Sequence, residues 1–71
     1  MTTIPMQPVT SSQIESVGFQ DGTLAVKFLR GGLYHYTNVP QQTFADMLKA
    51  ESIGKYFALH IKTHFHYKKM A

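Results

Sequence analysis

Apolar and polar residues alternate most clearly at residues 24–28. Leu24, Val26 and Phe28 occupy every second position there, the period of a strand with one buried face. Residues 14–19, running from Ile14 to Phe19, read as a preceding strand, and Asp21-Gly22 marks the turn between the two. A type I′ hairpin turn needs positive φ at both central residues, which Asp-Gly tolerates. A two-residue loop at that point pairs Gln20 with Thr23, Phe19 with Leu24 and Val17 with Val26. Directly paired residues share a face, so the four apolar side chains fall on one side.

A second hairpin follows at Gly31-Gly32. A three-residue loop around Gly31 puts Tyr34 and Tyr36 on the face of Leu24, Val26 and Phe28, whereas a two-residue loop turns both tyrosines over to the face of Lys27. The first register gathers Val17, Phe19, Leu24, Val26, Phe28, Tyr34 and Tyr36 together. It leaves Ser16, Gln20, Thr23, Lys27, His35 and Thr37 on the other face, and that segregation favours it. Pro40 suits the first turn of a helix, where a missing N–H costs nothing. Phe44, Met47 and Leu48 then recur at helical spacing over residues 41–50. Ser52 is positioned to cap a second helix over 53–61, with Ile53, Tyr56, Phe57 and His60 at i, i+3, i+4 and i+7. Residues 62–67 read as a short strand or an ordered tail.

These elements predict an α+β domain: a three-stranded antiparallel meander with two short C-terminal helices packed on one face. Residues 1–12, which hold two of the prolines, read as a loose lead-in; 13–67 form the single domain and 68–71 a basic tail. At 71 residues the chain is too short to divide its apolar residues between two cores, and at 44% hydrophobic it is too apolar for a disordered segment. The absence of Cys removes disulfides and thiolate metal ligands and fits a reducing compartment. Met1 to Pro8 lacks the basic and apolar regions of a signal peptide, and no apolar run approaches the roughly 20 residues of a membrane span. A cytoplasmic protein with no membrane partner is the expectation.

Charge changes the picture more than composition does. The net charge is +3, yet residues 1–51 hold Lys27, Arg30 and Lys49 against Glu15, Asp21, Asp46 and Glu51. Residues 52–71 hold Lys55, Lys62, Lys68 and Lys69 with no acid. Such a basic segment attracts polyanions through counterion release, unless it is simply a solvated surface.

His60, His64 and His66 have the look of metal-ligand spacing, but they lack a Cys or carboxylate partner, and no metal or other cofactor is expected. The serines lack a nucleophile elbow and the acids are scattered, so no catalytic residue is assigned and an enzyme is not expected. Tyr34 and Tyr36 are the sharpest candidates. Paired aromatics on a sheet can stack bases of single-stranded RNA, while the favoured register makes them core. Lys27, Arg30 and His35 fall on or beside the other sheet face, ordinary solvated residues unless they join the later lysines in contacting phosphates.

Leu24-x-Val26-x-Phe28, Gly31-x-x-Tyr34-x-Tyr36-x-x-Val39-Pro40 and Ser52-x-Gly54-x-Tyr56-Phe57 together resemble the KTSC domain, named after the C-terminal extension of some lysyl-tRNA synthetases. Val9-Thr10-Ser11-Ser12-x-Ile14 is similar to that family's opening signature, and Phe19 stands where its usual Gly-Tyr has a tyrosine. The resemblance runs from about Val9 to Tyr67 and is to the stand-alone form found in bacteria and phages. It implies RNA binding by association with the synthetases.

Two functions are therefore expected. The first is a small RNA- or nucleic-acid-binding module using Lys27, Arg30, His35, Lys55, Lys62, Lys68 and Lys69, with Tyr34 and Tyr36 as an alternative stacking platform; its partner is a tRNA-like or single-stranded RNA. The other is a protein-binding adaptor, a phage or bacterial modulator of a host complex such as the transcription machinery. Its motivation is the lead-in with Ile4, Met6 and Pro8 and a free sheet edge.

Overall fold

A computed structural model of the chain describes residues 4–70. The elements run β1 (Gln7–Pro8), β2 (Ile14–Gln20), β3 (Thr23–Phe28), β4 (Leu33–Tyr36), α1 (Gln41–Lys49), α2 (Ile53–His60) and β5 (Tyr67–Lys69). All five strands form one antiparallel sheet in sequence order. The α+β class and the two helices stand as expected, but the sheet has five strands rather than three. The two additions are short and polar. Gln7–Pro8 lies in the expected lead-in, and Tyr67–Lys69 carries Lys68 and Lys69 out of the expected tail. Neither has the apolar alternation that marks a strand, because each is held by its neighbour's backbone rather than by a buried side-chain row.

Both hairpins close in the favoured registers. Asp21 and Gly22 take φ of 51° and 78°, and Gln20, Phe19 and Val17 face Thr23, Leu24 and Val26. In the second hairpin the Gly31 N–H donates to the Phe28 carbonyl at 2.9 Å, and the Phe28 N–H donates to the Gly32 carbonyl at 3.2 Å. That is a three-residue loop in which Gly31 adopts φ 96°, a conformation a side chain would resist. Val26 then faces Tyr34, and Leu24 faces Tyr36.

Ile14 and Val17 are both fully buried although an odd spacing separates them. An irregularity in the β2–β3 register between Ile14 and Ser16 reconciles the two: Ser16 pairs with Lys27, yet Ile14 pairs with Phe28. The extra residue, Glu15, flips the parity and returns Ile14 to the core face.

Both helices cover that face. Phe44 of α1 stacks on Phe19 with centroids 5.1 Å apart, and Met47 is fully buried. Pro40 is the N-cap of α1 rather than its first helical residue, and its carbonyl accepts from the Thr43 and Phe44 N–H groups. Ser52 caps α2 as expected, its hydroxyl accepting from the Lys55 N–H at 3.2 Å. The buried line of α2 is Gly54 and Phe57, continued by Ile61, while His60, expected on the apolar stripe, is exposed. Gly54 is small for a reason: a Cβ there would lie 3.1 Å from the Ser11 hydroxyl. The same Ser11 oxygen accepts from the Gln13 and Ile14 N–H groups, so the opening Ser-Ser-x-Ile signature and the Gly of the last one meet in space.

The opposite face, expected to be open, is partly closed. Residues 4–6 cross it as a strap, and Ser16, Gly18 and Ala25 beneath are buried. Gly18 makes this possible, since a Cβ there would meet the Pro5 carbonyl oxygen at 2.3 Å. Among the described residues no helix is long and apolar enough to cross a membrane.

Candidate functional site

Five rings on the core face touch in a closed circuit. Tyr34 meets Phe28 edge-on at 5.4 Å, Phe28 meets Phe57 at 5.6 Å, and Phe57 meets Tyr36 edge-on at 5.2 Å. Tyr67 completes the ring, 5.4 Å from Tyr36 and 5.5 Å from Tyr34. The register dictates this arrangement. Tyr36 pairs with Tyr67, and Tyr34 with both Val26 and Lys69, so strand alternation brings the three tyrosines and Lys69 to one face.

Burial is graded around the circuit. Tyr36 is 3% exposed, Tyr34 is half-buried and Tyr67 is 59% exposed. Tyr36 is thus core, as its register predicted. Its phenol is pushed up to about 12, chiefly by burial and then by Tyr67 and Tyr34 beside it, so it stays neutral and can only share a proton, not carry charge.

The open side of the circuit is the floor of a groove of about 830 Å³. One wall is the β3–β4 loop with Leu29 and Arg30, fixed by the Leu29 N–H donating to the Gln13 carbonyl at 2.9 Å. The other is the end of α2 and the turn after it, with Ala58, Lys62 and Thr63. That turn is set by the Phe57 carbonyl, which accepts from both the Ile61 and Lys62 N–H groups. Arg30 and Lys62 line the groove, and none of the four acids does.

The seven residues expected to form one nucleic-acid-binding surface divide between three places. Arg30 and Lys62 line the groove, and Lys69 pairs with Tyr34 on the same sheet face. His35 and Lys68 pair across β4 and β5 on the strap face, and Lys27 lies there too. Lys27 is already engaged, its ammonium 3.6 Å from the Glu15 carboxylate, both half exposed. Lys55 is exposed on α2 and away from the groove. Arg30, expected beside the other sheet face, therefore belongs with the tyrosines instead, because the loop carries it past the strand end.

Tyr67 is the residue that sequence reasoning missed. The available signal was Tyr67-x-Lys69, a period-2 pair that extends the tyrosine row once a further strand is allowed. The His60 and Tyr56 rings meet at a tilt on α2, with centroids 4.5 Å apart. Among the described residues no three His, Cys, Asp or Glu side chains gather into a set that could hold a metal ion.

The family model of the KTSC domain matches residues 10–65. A protein from Tsukamurella paurometabola is 42% identical over 62 residues, which cover 84% of this chain and 92% of that one. Another, from Stutzerimonas stutzeri, is 37% identical over 49 residues, covering 66% and 69%. In three dimensions the chain is similar to the crystal structure of a KTSC domain protein from Yersinia pestis. The TM-score is 0.90 at 33% sequence identity, over 97% of this chain and 100% of the other.

Proposed function

The chain belongs to the KTSC domain family, and from that premise we propose that it is a cytoplasmic, non-catalytic module that binds nucleic acid, RNA above all. The observation that carries this reading is the placement of Arg30 and Lys62 in an aromatic groove that none of the four acidic side chains lines, with Lys69 paired to Tyr34 on the same sheet face. A phosphate chain lying along that rim releases counterions at each contact, which gives affinity without base readout. The resemblance to the tails of lysyl-tRNA synthetases supports RNA over DNA, as an association rather than a site argument.

The test is a titration of RNA at several salt concentrations with two double variants. Arg30→Ala with Lys62→Ala should weaken binding and flatten the salt dependence by about one to two units of slope. Lys27→Ala with Lys68→Ala, on the strap face, should do less, because Lys27 already has an anionic partner. Absence of binding even at low salt removes the reading.

A protein-binding adaptor is favoured by a different observation: Met6 and Met70 are both more than one-third exposed, and β1 and β5 are sheet edges. Capture from a bacterial lysate treated with nuclease separates the two. A specific partner that survives nuclease, together with failed RNA titrations, favours the adaptor.

A further inference from the structure

We propose that the groove seats one unpaired nucleotide of a single strand, its base against Tyr67 and Tyr34 and its phosphates at Arg30, Lys62 and Lys69. This rests on the nucleic-acid reading above and adds where and how the strand is held.

Four features of the groove lead to it. Its volume of about 830 Å³ is of the size that takes up small ligands. Tyr67 remains 59% exposed although it touches two other rings, so it can still meet a further flat partner. The floor is graded: Tyr36 is fixed by burial, and it and Tyr34 brace Tyr67 from beneath, so stacking meets a platform already ordered. Ser12, Gln13 and Thr63 line the same groove and offer donors and acceptors to a base edge.

Charge completes the argument for a nucleotide over an apolar group. Arg30 and Lys62 line the groove, Lys69 pairs with Tyr34 beside it, and none of the four acidic side chains lines it, which suits an occupant that combines a flat ring with negative charge. A paired base in a duplex has both faces already stacked and cannot enter. An unpaired one in a single strand can, and it carries its phosphates with it. Base–aromatic stacking of this kind changes affinity by roughly 5- to 150-fold per base.

The experiment uses fluorescence anisotropy on the intact chain, with a dye-labelled oligouridylate, an abasic strand of equal length and a duplex. The wild type should bind the base-bearing strand at least about fivefold more tightly than the abasic strand or the duplex. Tyr67→Ala should erase that advantage, while Tyr67→Phe should keep it. Thermal melts of both variants confirm that they are folded. The wild-type comparison needs no variant, so it decides the matter even if Tyr67→Ala is unstable.

Equal binding of base-bearing and abasic strands, with steep salt dependence, overturns the nucleotide seat and leaves charge-driven nucleic-acid binding intact. No binding of any strand at low salt overturns both. Competition by free uridine monophosphate as effective as the strand's own overturns the assignment to a strand in favour of a free nucleotide. Displacement by polyglutamate at the same charge concentration overturns the need for a base and points to an acidic protein.

Discussion

The two faces of the sheet are both buried at their centres, by opposite means. On one face, Val17, Leu24 and Val26 are fully buried beneath two helices, and Phe19, Phe28 and Tyr34 fill the space around them. On the other, Gly18 and Ala25 are buried and small, and the Pro5 carbonyl oxygen, the Ile4 side chain and the Met6 sulfur of the strap all approach Gly18 closely. The first face is closed over large side chains of the sheet and the second over small ones, which let the strap approach. A helix stands about 10 Å from a sheet and needs large residues to fill the gap, whereas an extended segment lies on the sheet directly. The difference also sorts function. Large rings that outrun their helices leave an exposed aromatic floor at Tyr67, while the strapped face offers only an interrupted surface with one of its lysines paired.

The sharpest way to break this contrast is to remove volume from the first face. Tyr36 is 3% exposed and touches both Phe57 and Tyr67. Tyr36→Ala should cost about 3–5 kcal/mol, because a ring-sized cavity opens in a core with little room to collapse. Domains this small have few kcal/mol in total, so much of the population should be unfolded in thermal or urea melts. A Tyr36→Ala protein that melts like the wild type would show that the aromatic circuit is not the centre of the core.

A smaller loss should come from alkali. The Tyr36 phenol rises from its ordinary value of 10.0 to about 12 on folding, mainly through burial. Below pH 10 it is protonated in both states and contributes its full stability. Between those values the unfolded chain releases the proton more readily, so folding weakens as pH rises and the loss is complete above the folded value. Two pKa units amount to roughly 2–3 kcal/mol. In a spectroscopic titration one of the four tyrosines should ionise last and together with unfolding. Tyr36→Phe should abolish that late step. A protein in which Tyr36 ionises near pH 10 while still folded contradicts the burial.

Most of the first face was legible in the chain and little of the second. Asp21-Gly22 fixes the first loop length, and at Gly31-Gly32, where two lengths are open, the segregation of apolar from polar residues selects the parity that puts Tyr34 and Tyr36 with Val26. Helices α1 and α2 followed from spacing to within one residue at their ends. The strap could not be read because Ile4-Pro5-Met6 has no period; its trace is Gly18, whose role as a site of close backbone approach looks like any strand glycine. The groove was half visible. Its tyrosines and cations were named, but Arg30 was assigned to the other face and Tyr67 was passed over. Which cations gather together depends on β5 and on the turn after α2, and neither carries an apolar signature.

The second face gives the smallest effect and the one whose sign is most telling. Glycine inside a strand is ordinarily a weak point, and replacing it with alanine in an unobstructed strand should stabilise by about 0.5–1 kcal/mol. Gly18 is not unobstructed: the added Cβ would lie 2.3 Å from the Pro5 oxygen and 2.8 Å from Ile4 Cγ2. The first of these is backbone and cannot rotate away, so the strap must lift from Gly18. Gly18→Ala should therefore destabilise by about 1–2 kcal/mol, the cost of overpacking a closed site. Amide hydrogen exchange should show the change first at Gly18 and Ala25, with the aromatic circuit unaffected. A chain from which residues 1–6 are removed should reverse the sign, since alanine then meets no obstruction and its propensity is what remains. If Gly18→Ala stabilises the intact chain, the strap does not rest on the sheet. The two faces would then differ in residue size alone.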